Sequence, residues 1–301
     1  MNRTIAQLKN DILTRTKEAL TISAKIKKID SRINRLNKQL RVVLGVKAAK
    51  VLSPKKQQSN AKPKASGATK TKSNMYEDAE TWSPFKGCKF DCTYCGPSFQ
   101  KQAKRQKHNC MKCYRYVPHF HPDRLSPIPS SKIVFACGNA DISFCEPEHM
   151  HQIINRIIKH NERTNKTFYL QSKEPSCLEP FLSLLPENVV LLTTLETNRD
   201  KGYDKISKAP VPSKRYQQFL ALKYPRKVVT IEPLIDFDVQ PFAKWIIKIK
   251  PEYVWLGFNS KVKSVSLPEP SKEKVLQFVK ILRKHNIKVR GKTLRGIKLP
   301  S

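Results

Sequence analysis

The sequence predicts an α/β fold, a partial or complete (β/α) barrel of six to seven parallel strands, preceded by a basic coiled-coil helix and a disordered linker. The barrel is predicted because short apolar runs alternate with amphipathic stretches from residue 78 onward, which is typical of βαβ units. An apolar repeat near the N-terminus predicts the helix, and a stretch almost without apolar residues predicts the linker. The chain of 301 residues is long enough for such a domain and an appendage.

Residues 1–46 are predicted to form the coiled coil. Apolar side chains recur there at alternating steps of three and four, which keeps one face of a helix toward a partner helix. They are Ile5, Leu8, Ile12, Ala19, Ile22, Ile26, Ile29, Ile33, Leu36, Leu40 and Val43. Only Arg15 interrupts the series. The other faces are almost entirely polar and basic, so we expect self-association, although the helix could instead lie against the main domain.

Residues 47–77 are predicted to be a flexible linker, because they offer too few apolar side chains to offset the entropy of ordering. Basic charge is concentrated before the main domain, since residues 1–75 contain 19 Lys or Arg and 3 Asp or Glu. The whole chain has a formal net charge of +34. Such a charge indicates a polyanionic partner, with nucleic acid before an anionic membrane surface. A general bias toward Lys, or a tail that only aids solubility, is the alternative.

The main domain is assigned to residues 78–301. Its predicted strands are Glu80–Pro84, Lys132–Cys137, Thr167–Gln171, Val189–Leu195, Lys227–Pro233, Tyr253–Phe258 and Ile287–Arg290. Helices are predicted between them at His149–His160, Pro241–Lys248 and Ser271–His285. Parallel barrels place their chemistry at the carboxyl ends of the strands, so polar side chains that follow each strand are the candidate site residues.

The sequence also indicates a compartment. No apolar run approaches the roughly 18 residues of a spanning helix, and the N-terminus lacks the pattern of a secretory signal. We therefore expect a cytoplasmic protein without membrane association. In that compartment the eight cysteines are expected to be thiols or metal ligands and not a disulfide framework.

Three cysteines follow the first predicted strand within eight residues: Cys88, Cys92 and Cys95. On one loop, their thiolates can turn toward a single point. Three thiolates are one short of a closed zinc site or a closed cluster. A [4Fe–4S] cluster bound by these three would therefore keep one iron open to a non-protein ligand. A zinc ion completed by another cysteine is the alternative.

The spacing C-x3-C-x2-C, with Tyr94 before the last cysteine and a location after the first strand of a βα series, resembles the radical SAM superfamily. The resemblance implies that the open iron binds S-adenosylmethionine (SAM), whose reductive cleavage gives a 5′-deoxyadenosyl radical. It also implies an electron donor protein as partner. It places Tyr94 near the adenine of SAM, although this side chain could instead pack the loop onto the barrel rim.

The resemblance extends to the turns after later strands. Asn139 and Asp141 follow the second strand, where the superfamily usually has a Gly-Gly-Glu turn that receives the SAM amino group, and they are the substitutes here. Further implied cofactor contacts follow the fourth, fifth and sixth strands: Glu196, Asn198, Arg199, Glu232 and Asn259. Each of these polar residues could also be an ordinary cap or salt-bridge partner.

A narrower resemblance is to radical SAM-type proteins of phages and prophages, and a more distant one is to spore photoproduct lyase. It rests on Trp82, on the segment His121-Pro122-Asp123-Arg124-Leu125 and on the segment Ile231-Glu232-Pro233-Leu234. It covers about residues 80–260. This resemblance supports the cofactor chemistry and leaves the substrate open.

Residues 96–131 form an insertion with a second pair of cysteines. Cys110 and Cys113 have the C-x2-C spacing of a metal knuckle. Three histidines flank them: His108, His119 and His121. Zinc, completed by histidines or other cysteines, and an auxiliary Fe–S cluster are the functional options, and two free thiols are the alternative. The remaining cysteines are expected to pack as small apolar residues: Cys137, Cys145 and Cys177.

The insertion is also basic and aromatic. Its cations are Lys101, Lys104, Arg105, Lys107, Lys112 and Arg115, and its aromatic residues are Phe99, Tyr114 and Tyr116. This combination suits single-stranded or flipped nucleotides, while a solvated basic helix is the alternative. The leading hypothesis is therefore a radical SAM enzyme that modifies or repairs nucleic acid. The alternatives are a radical SAM enzyme for a protein or peptide, and a zinc-stabilised nucleic-acid-binding protein without catalysis.

Overall fold

The computed structural model describes residues 79–299 and Gln7. The chain divides into two units, residues 1–69 and 70–301, and residues 79–299 belong to the second. The predicted coiled coil at 1–46, apart from Gln7, and the predicted linker at 47–77 lie outside the described residues. Those two domain assignments stay predictions.

Residues 79–299 contain nine strands. They are β1 (Ala79–Trp82), β2 (Phe85–Lys86), β3 (His119–Phe120), β4 (Ile133–Ala136), β5 (Thr167–Gln171), β6 (Val189–Thr194), β7 (Lys227–Ile231), β8 (Tyr253–Leu256) and β9 (Val289–Gly291). Seven form one sheet in the order β1-β4-β5-β6-β7-β8-β9, and every neighbouring pair is parallel. The sheet is a curled half-barrel. It is open, because β1 and β9 are its two edges, and the predicted partial barrel is confirmed.

Each of the seven predicted strands corresponds to one strand of this sheet. The prediction succeeds because strands buried on both faces of a parallel sheet are continuous apolar runs, which the sequence shows directly. All six residues of β6 and all five of β7 are buried. Alternation along a strand then decides which face a side chain reaches. In β5, Phe168 and Leu170 pack into the main core, whereas Tyr169 between them packs on the opposite face.

Six α-helices occur in the same range. They are α1 (Lys101–Ala103), α2 (Met111–Tyr114), α3 (Pro147–Asn161), α4 (Pro212–Ala221), α5 (Val239–Ile249) and α6 (Lys272–Lys284). The predicted helices correspond to α3, α5 and α6, whose apolar faces enter the main core through residues such as Ile153, Phe242 and Phe278. No helix was predicted at α4, which begins with Pro212; proline suits this position because its missing N–H would have no intrahelical partner there.

The face of the sheet away from the helices is apolar along most of the strands and polar toward their carboxyl ends. Its apolar cluster consists of strand residues: Tyr169, Val190, Leu192, Val228, Tyr253 and Trp255. Toward the carboxyl ends, Gln171 donates to Thr194 at 2.7 Å, and the hydroxyls of Thr194 and Thr230 lie 2.8 Å apart. The edge of the sheet where the strands end, called the carboxyl edge, is therefore polar.

Two short strands lie outside the main sheet. β2 and β3 pair antiparallel, with Phe85 opposite Phe120 and Lys86 opposite His119. This ribbon brings together the two ends of the segment from residue 87 to 118, which contains the first cysteines and most of the insertion. Within residues 79–299, no helix has the length and apolar character that crossing a bilayer requires.

Candidate functional site

The loop with the three cysteines, residues 87–95, lies at the carboxyl edge of the sheet. Its start pairs with the turn after β4, where Gly87 bridges Ala140 and the Asp141 amide donates to the Gly87 carbonyl at 3.3 Å. Its middle lies on the segment after β6, where the Thr93 amide donates to Ile206 at 2.9 Å and the Lys208 amide donates to Phe90 at 2.7 Å. Backbone bonds to two neighbouring loops thus fix the cysteine loop.

The three thiols lie in one small cluster. Cys92 is buried with Phe90 and Ala209, and the partly buried Cys88 and Cys95 pack against this group. All three are free thiols. The Cys92 sulfur lies 3.1 Å from the Ser207 hydroxyl and accepts a hydrogen bond at 3.3 Å from the Lys173 ammonium. The Phe90 amide donates to the Cys88 sulfur at 3.4 Å.

Hydrogen bonds and burial give the three thiols different acidities. The hydrogen bond from Cys95 lowers the pKa of Cys92, and Lys173 and Ser207 act in the same direction against the effect of burial. Burial raises the pKa of Cys88 to about 12, and the nearby Asp141 carboxylate acts in the same direction. Cys95 donates to Cys92, so its pKa is raised. Cys92 is therefore the most acidic of the three thiols, and a metal bound to all three would displace their protons.

These residues fit a [4Fe–4S] cluster with three protein thiolates. The sulfurs already receive an N–H donor and a cation, which are the groups that stabilise thiolate ligands in iron–sulfur sites. In the contacts described for residues 79–299, no histidine or fourth cysteine touches any of the three sulfurs. The arrangement thus agrees with a cluster in which one iron has no protein ligand.

Behind the loop lies a buried charge network centred on Glu196, which follows β6. One carboxylate oxygen of Glu196 accepts from the Tyr94 hydroxyl at 2.5 Å, the Lys173 ammonium at 2.7 Å and the Tyr203 hydroxyl at 3.1 Å. The other forms an ion pair with Arg215 at 2.8 Å, and neither side chain of this pair has any exposed surface. Lys173 also contacts the Tyr94 hydroxyl. The network therefore holds Lys173 in contact with both Glu196 and Cys92.

The charges in this network stabilise one another. Burial alone would raise the pKa of Glu196, but Arg215 and Lys173 outweigh it and hold the pKa far below its ordinary value. Burial opposes the charged form of Lys173 as well, yet Glu196 raises the pKa of Lys173 well above its ordinary value. Because Arg215 also stacks on the Tyr203 ring at 4.8 Å, its guanidinium is fixed on two sides. Glu196 and Lys173 are therefore both charged at neutral pH.

Asp141 connects the turns after β4 and β5. One oxygen accepts from the Ser143 amide at 3.1 Å and from the Ser172 hydroxyl at 2.7 Å. The other accepts from the Lys173 amide at 2.8 Å. Asp141 is thus buried and satisfied by protein donors, and it fixes the backbone from which Lys173 projects. The predicted contact of Asp141 with SAM stays a prediction.

The other predicted cofactor contacts lie after their strands as expected, and most have protein partners. Arg199 pairs with Asp236 at 2.6 Å and with Asp238 at 2.5 Å, and the Asn198 side chain accepts from the Asp238 amide at 2.8 Å. Asn259 bonds within its own loop to the backbone of residues 261 and 265, at 2.8 Å in each case. These bonds shape the carboxyl edge, and the cofactor roles of the three residues stay predictions.

Three predicted contacts remain. The carbonyl of Asn139 accepts from the Gly87 amide at 3.3 Å, so this residue helps to anchor the cysteine loop. Glu232 directly follows β7, and burial raises the pKa of its carboxyl against the opposing effects of Lys292 and Trp255. Tyr94, predicted to lie near the adenine, has its hydroxyl on Glu196.

Sequence reasoning missed three members of the site. Lys173 directly follows Ser172 after β5, so the rule that selected polar residues after the other strands would have found it. Arg215 lies on α4 among polar residues that resemble a surface helix, yet it is completely buried. Ser207 lies in an irregular segment without a motif. The contact of Arg215 with Glu196 and that of Ser207 with Cys92 are visible only in the folded structure.

A cleft of about 630 Å³ lies beside the cysteine loop. Lys89 of the loop and Phe144, which packs on Phe90 with ring centroids 4.7 Å apart, form part of its wall. The partly buried Cys145 and Cys177 line the same cleft, whereas Cys137 lies in the main core. Cys88, Cys92 and Cys95 are not among the residues that line this cleft.

The insertion brings its two cysteines together with two of the three flanking histidines. The ligand atoms of Cys110, Cys113, His119 and His121 all lie within 4.8 Å of one another. His108 is exposed and is not part of this group. These four side chains therefore lie close enough to share one ion, and metal binding by Cys110 and Cys113 stays a prediction.

The surface of the insertion is basic. All six of its predicted cations are exposed: Lys101, Lys104, Arg105, Lys107, Lys112 and Arg115. None of the ion pairs described for residues 79–299 includes any of them. Phe99 is also exposed, and the Lys104 ammonium lies 4.5 Å from the centre of the Tyr114 ring. Tyr116 instead lies near the three cysteines, and burial together with these thiols raises its pKa.

Fold and site together define a parallel half-barrel with a three-cysteine loop at its carboxyl edge. Among solved structures, the chain is similar to a radical SAM methyltransferase from Sphaerobacter thermophilus, with 14% identity and a TM-score of 0.45 over 71% of this chain and 65% of that one. A variant of spore photoproduct lyase matches with 8% identity and a TM-score of 0.48, over 70% of this chain and 75% of that one. The protein anSMEcpe with bound AdoMet and a peptide matches with 12% identity and a TM-score of 0.39, over 70% and 63%. No protein-family model and no curated protein matches the chain.

Proposed function

We propose that this protein is a radical SAM enzyme that acts on nucleic acid. The observation behind the proposal is the cluster of Cys88, Cys92 and Cys95 on one fixed loop at the carboxyl edge, with no histidine or fourth cysteine among the contacts described at their sulfurs. Three thiolates suit a [4Fe–4S] cluster that has one iron open to SAM. When bound, such a cluster supplies the electron that cleaves SAM to a 5′-deoxyadenosyl radical.

The residues of this chain would bind and tune that cofactor. Cys88, Cys92 and Cys95 are its ligands, and the Phe90 amide with the Ser207 hydroxyl stabilises their negative charge. Lys173 places a positive charge 3.3 Å from the Cys92 sulfur, and Glu196 keeps this ammonium charged and in position. A cation beside a thiolate ligand favours a more negative, reduced state of the site.

The basic insertion supports nucleic acid as the substrate. Six exposed cations, unpaired with carboxylates in the described part of the chain, lie in the insertion that borders the cysteine loop. Phosphates would satisfy such a surface, and Phe99 with Tyr114 offers aromatic faces for unstacked bases. The charge of residues 1–75 would add to the same attraction.

An activity assay tests both parts of the proposal. Anaerobically reconstituted protein is reduced in the presence of SAM with single-stranded DNA, RNA or a peptide pool, and 5′-deoxyadenosine and substrate mass are measured. We expect 5′-deoxyadenosine from the wild type, none from Cys92→Ala, and a mass change confined to a nucleic acid. Absence of 5′-deoxyadenosine from iron-loaded protein would refute the radical chemistry, and a mass change confined to peptides would refute the substrate class.

A further inference from the structure

The second group of metal-binding side chains lies in the insertion and is separate from the three-cysteine loop. Cys110 caps the N-terminus of α2, and Cys113 within α2 is buried. His119 lies on β3, and His121 directly follows that strand. Residues two apart on an extended strand point to the same side, so both histidines can face α2.

The distances within this group match a tetrahedron around one ion. Both sulfurs lie 3.4 Å from Nε2 of His119, and the Cys113 sulfur lies 3.1 Å from Nε2 of His121. Zinc bonds of roughly 2.3 Å to sulfur and 2.0–2.1 Å to nitrogen give tetrahedral sulfur-to-nitrogen edges of about 3.5 Å. The spacing therefore fits a single tetrahedral ion.

Neighbouring groups orient or stabilise three of the four ligands for metal binding. Nδ1 of His119 lies 2.7 Å from the Val117 carbonyl, which fixes its hydrogen there and leaves the Nε2 lone pair toward the sulfurs. Nδ1 of His121 lies 3.6 Å from the Asp123 carboxylate, a partner of the kind that orients metal-binding histidines. The Cys113 amide donates to the Cys110 sulfur at 3.4 Å, as expected in a C-x2-C knuckle.

We propose that Cys110, Cys113, His119 and His121 bind a structural zinc ion that fixes the insertion against the start of the three-cysteine loop. Two thiolates and two neutral imidazoles complete a closed tetrahedral site, which suits a structural and not a catalytic zinc. Tetrahedral S2N2 coordination favours zinc over magnesium, calcium or manganese. The zinc ligands and the iron ligands are different residues, so the two metals can be measured independently.

The structure connects this zinc site directly to the first cysteine of the loop. His119 is paired with Lys86 in the β2–β3 ribbon. Gly87 comes next, with φ +92°, and a Cβ there would lie 2.3 Å from the Val117 carbonyl. The Cys88 amide then donates to the Tyr116 carbonyl at 3.3 Å. A metal that holds residues 110–121 together therefore also positions the backbone of Cys88.

Metal analysis of the full-length protein is the first test. We expect about one zinc per chain in the wild type and in His108→Ala, a variant of an exposed histidine in the same insertion that is not part of the group. Cys113→Ser should lose nearly all zinc. Iron-loaded wild type with almost no zinc, or Cys113→Ser with undiminished zinc, would overturn the proposal.

Cobalt substitution covers the case in which Cys113→Ser does not fold. Cobalt in the wild type should show the intense visible bands of tetrahedral coordination with two thiolates. His119→Cys should keep about one metal per chain and shift these bands, because a third thiolate replaces an imidazole. Weak bands of octahedral cobalt in the wild type, or bands that do not move in His119→Cys, would contradict the assignment.

A chelation experiment tests the structural role. Zinc removal from the wild-type protein should speed tryptic cleavage at Lys101, Lys104 and Arg105 and reduce the iron bound on reconstitution, and added zinc should reverse both effects. Unchanged cleavage and iron loading after verified zinc removal would show that the ion does not position the loop. Loss of SAM cleavage with normal zinc content would instead concern the proposed function alone.

Discussion

At the scale of single residues, Glu196 and Arg215 determine the geometry around the cysteine loop. Arg215 has no exposed surface and pairs with Glu196, which in turn holds Lys173 against Cys92. A buried carboxylate that loses a cationic partner still carries its cost of desolvation. Removing one member of a buried ion pair therefore destabilises the fold far more than replacing both members with apolar residues. The position of Lys173 beside Cys92 therefore depends on Arg215, whose described contacts are with Glu196, Thr194 and Tyr203.

We expect Arg215→Met to lower the free energy of unfolding by about 3 kcal/mol, because Lys173 alone then compensates the Glu196 carboxylate. Urea denaturation measures the change. The matched control is Arg226→Met, which removes a half-exposed pair with Glu252 and should cost at most about 1 kcal/mol. Equal losses in the two variants would contradict the network described for Glu196.

Glu196 also predicts a dependence on pH. Its pKa in the folded state lies below the ordinary value of 4.5, so its contribution to stability is fully present above pH 4.5 and is lost as pH falls toward the folded-state pKa. Denaturation of the cluster-free protein at decreasing pH should show this loss, and Glu196→Gln should have a flatter profile in the same range. A variant profile parallel to that of the wild type would refute the assignment.

The residues of the site differ in how far sequence could predict them. The three cysteines lie within eight residues of one another, so their spacing alone indicates that they can meet at one point. Lys173 lies two residues after β5, the same position that Glu196 has after β6, so the same rule predicts both. Arg215 and Ser207 had no such signal, because their roles depend on α4 and on a loop folding back against distant residues. Contacts between residues far apart in sequence are what local patterns omit.

At the scale of elements, apolar runs predicted all seven strands of the sheet, since a parallel sheet buried on both faces leaves little freedom in composition. Connections were less predictable. Between β5 and β6 the chain forms a 3-10 run, Pro175–Leu184, with Pro180 inside it. Proline has no amide donor for a regular α-helix, so this crossover departs from the usual pattern.

The insertion predicts a local electrostatic effect. Combined Lys101→Gln, Lys104→Gln and Arg105→Gln should weaken binding of single-stranded nucleic acid and reduce the slope of log affinity against log salt by roughly 2, if each cation contacts one phosphate. Fluorescence anisotropy at several salt concentrations gives this slope.

The matched control removes three exposed cations from the helices α5 and α6: Lys244, Lys248 and Lys280. Their combined replacement by glutamine changes the net charge equally, so it should leave most of the salt slope intact. Equal effects of the two triple variants would show that total charge, and not the insertion, determines binding.

At the level of the whole molecule, the highest density of positive charge and the candidate metal ligands lie in different parts of the sequence. Residues 1–75 hold 19 of the 58 Lys or Arg and only 3 of the 24 Asp or Glu, whereas all the candidate metal ligands lie in residues 88–121. The predicted consequence is that affinity for a polyanion can be reduced without loss of the cofactor site.

Deletion of residues 1–75 should therefore leave zinc and iron content unchanged, while it weakens nucleic-acid binding and abolishes self-association through the predicted coiled coil. Metal analysis, anisotropy and analytical ultracentrifugation measure the three effects. Unchanged affinity would show that the main domain alone binds the polyanion, and an unchanged oligomeric state would refute the predicted role of the coiled coil.

Cys88, Cys92 and Cys95 are expected to hold a four-iron cluster in which one iron has no protein ligand. Mössbauer spectroscopy of protein reconstituted with iron-57, recorded with and without SAM, distinguishes that iron from the other three. We predict about four irons per chain, with SAM altering the signal of one iron site and leaving the other three unchanged. A spectrum that SAM does not change, or one iron with the signature of a protein nitrogen or oxygen ligand before SAM is added, would show that the cluster has no open iron.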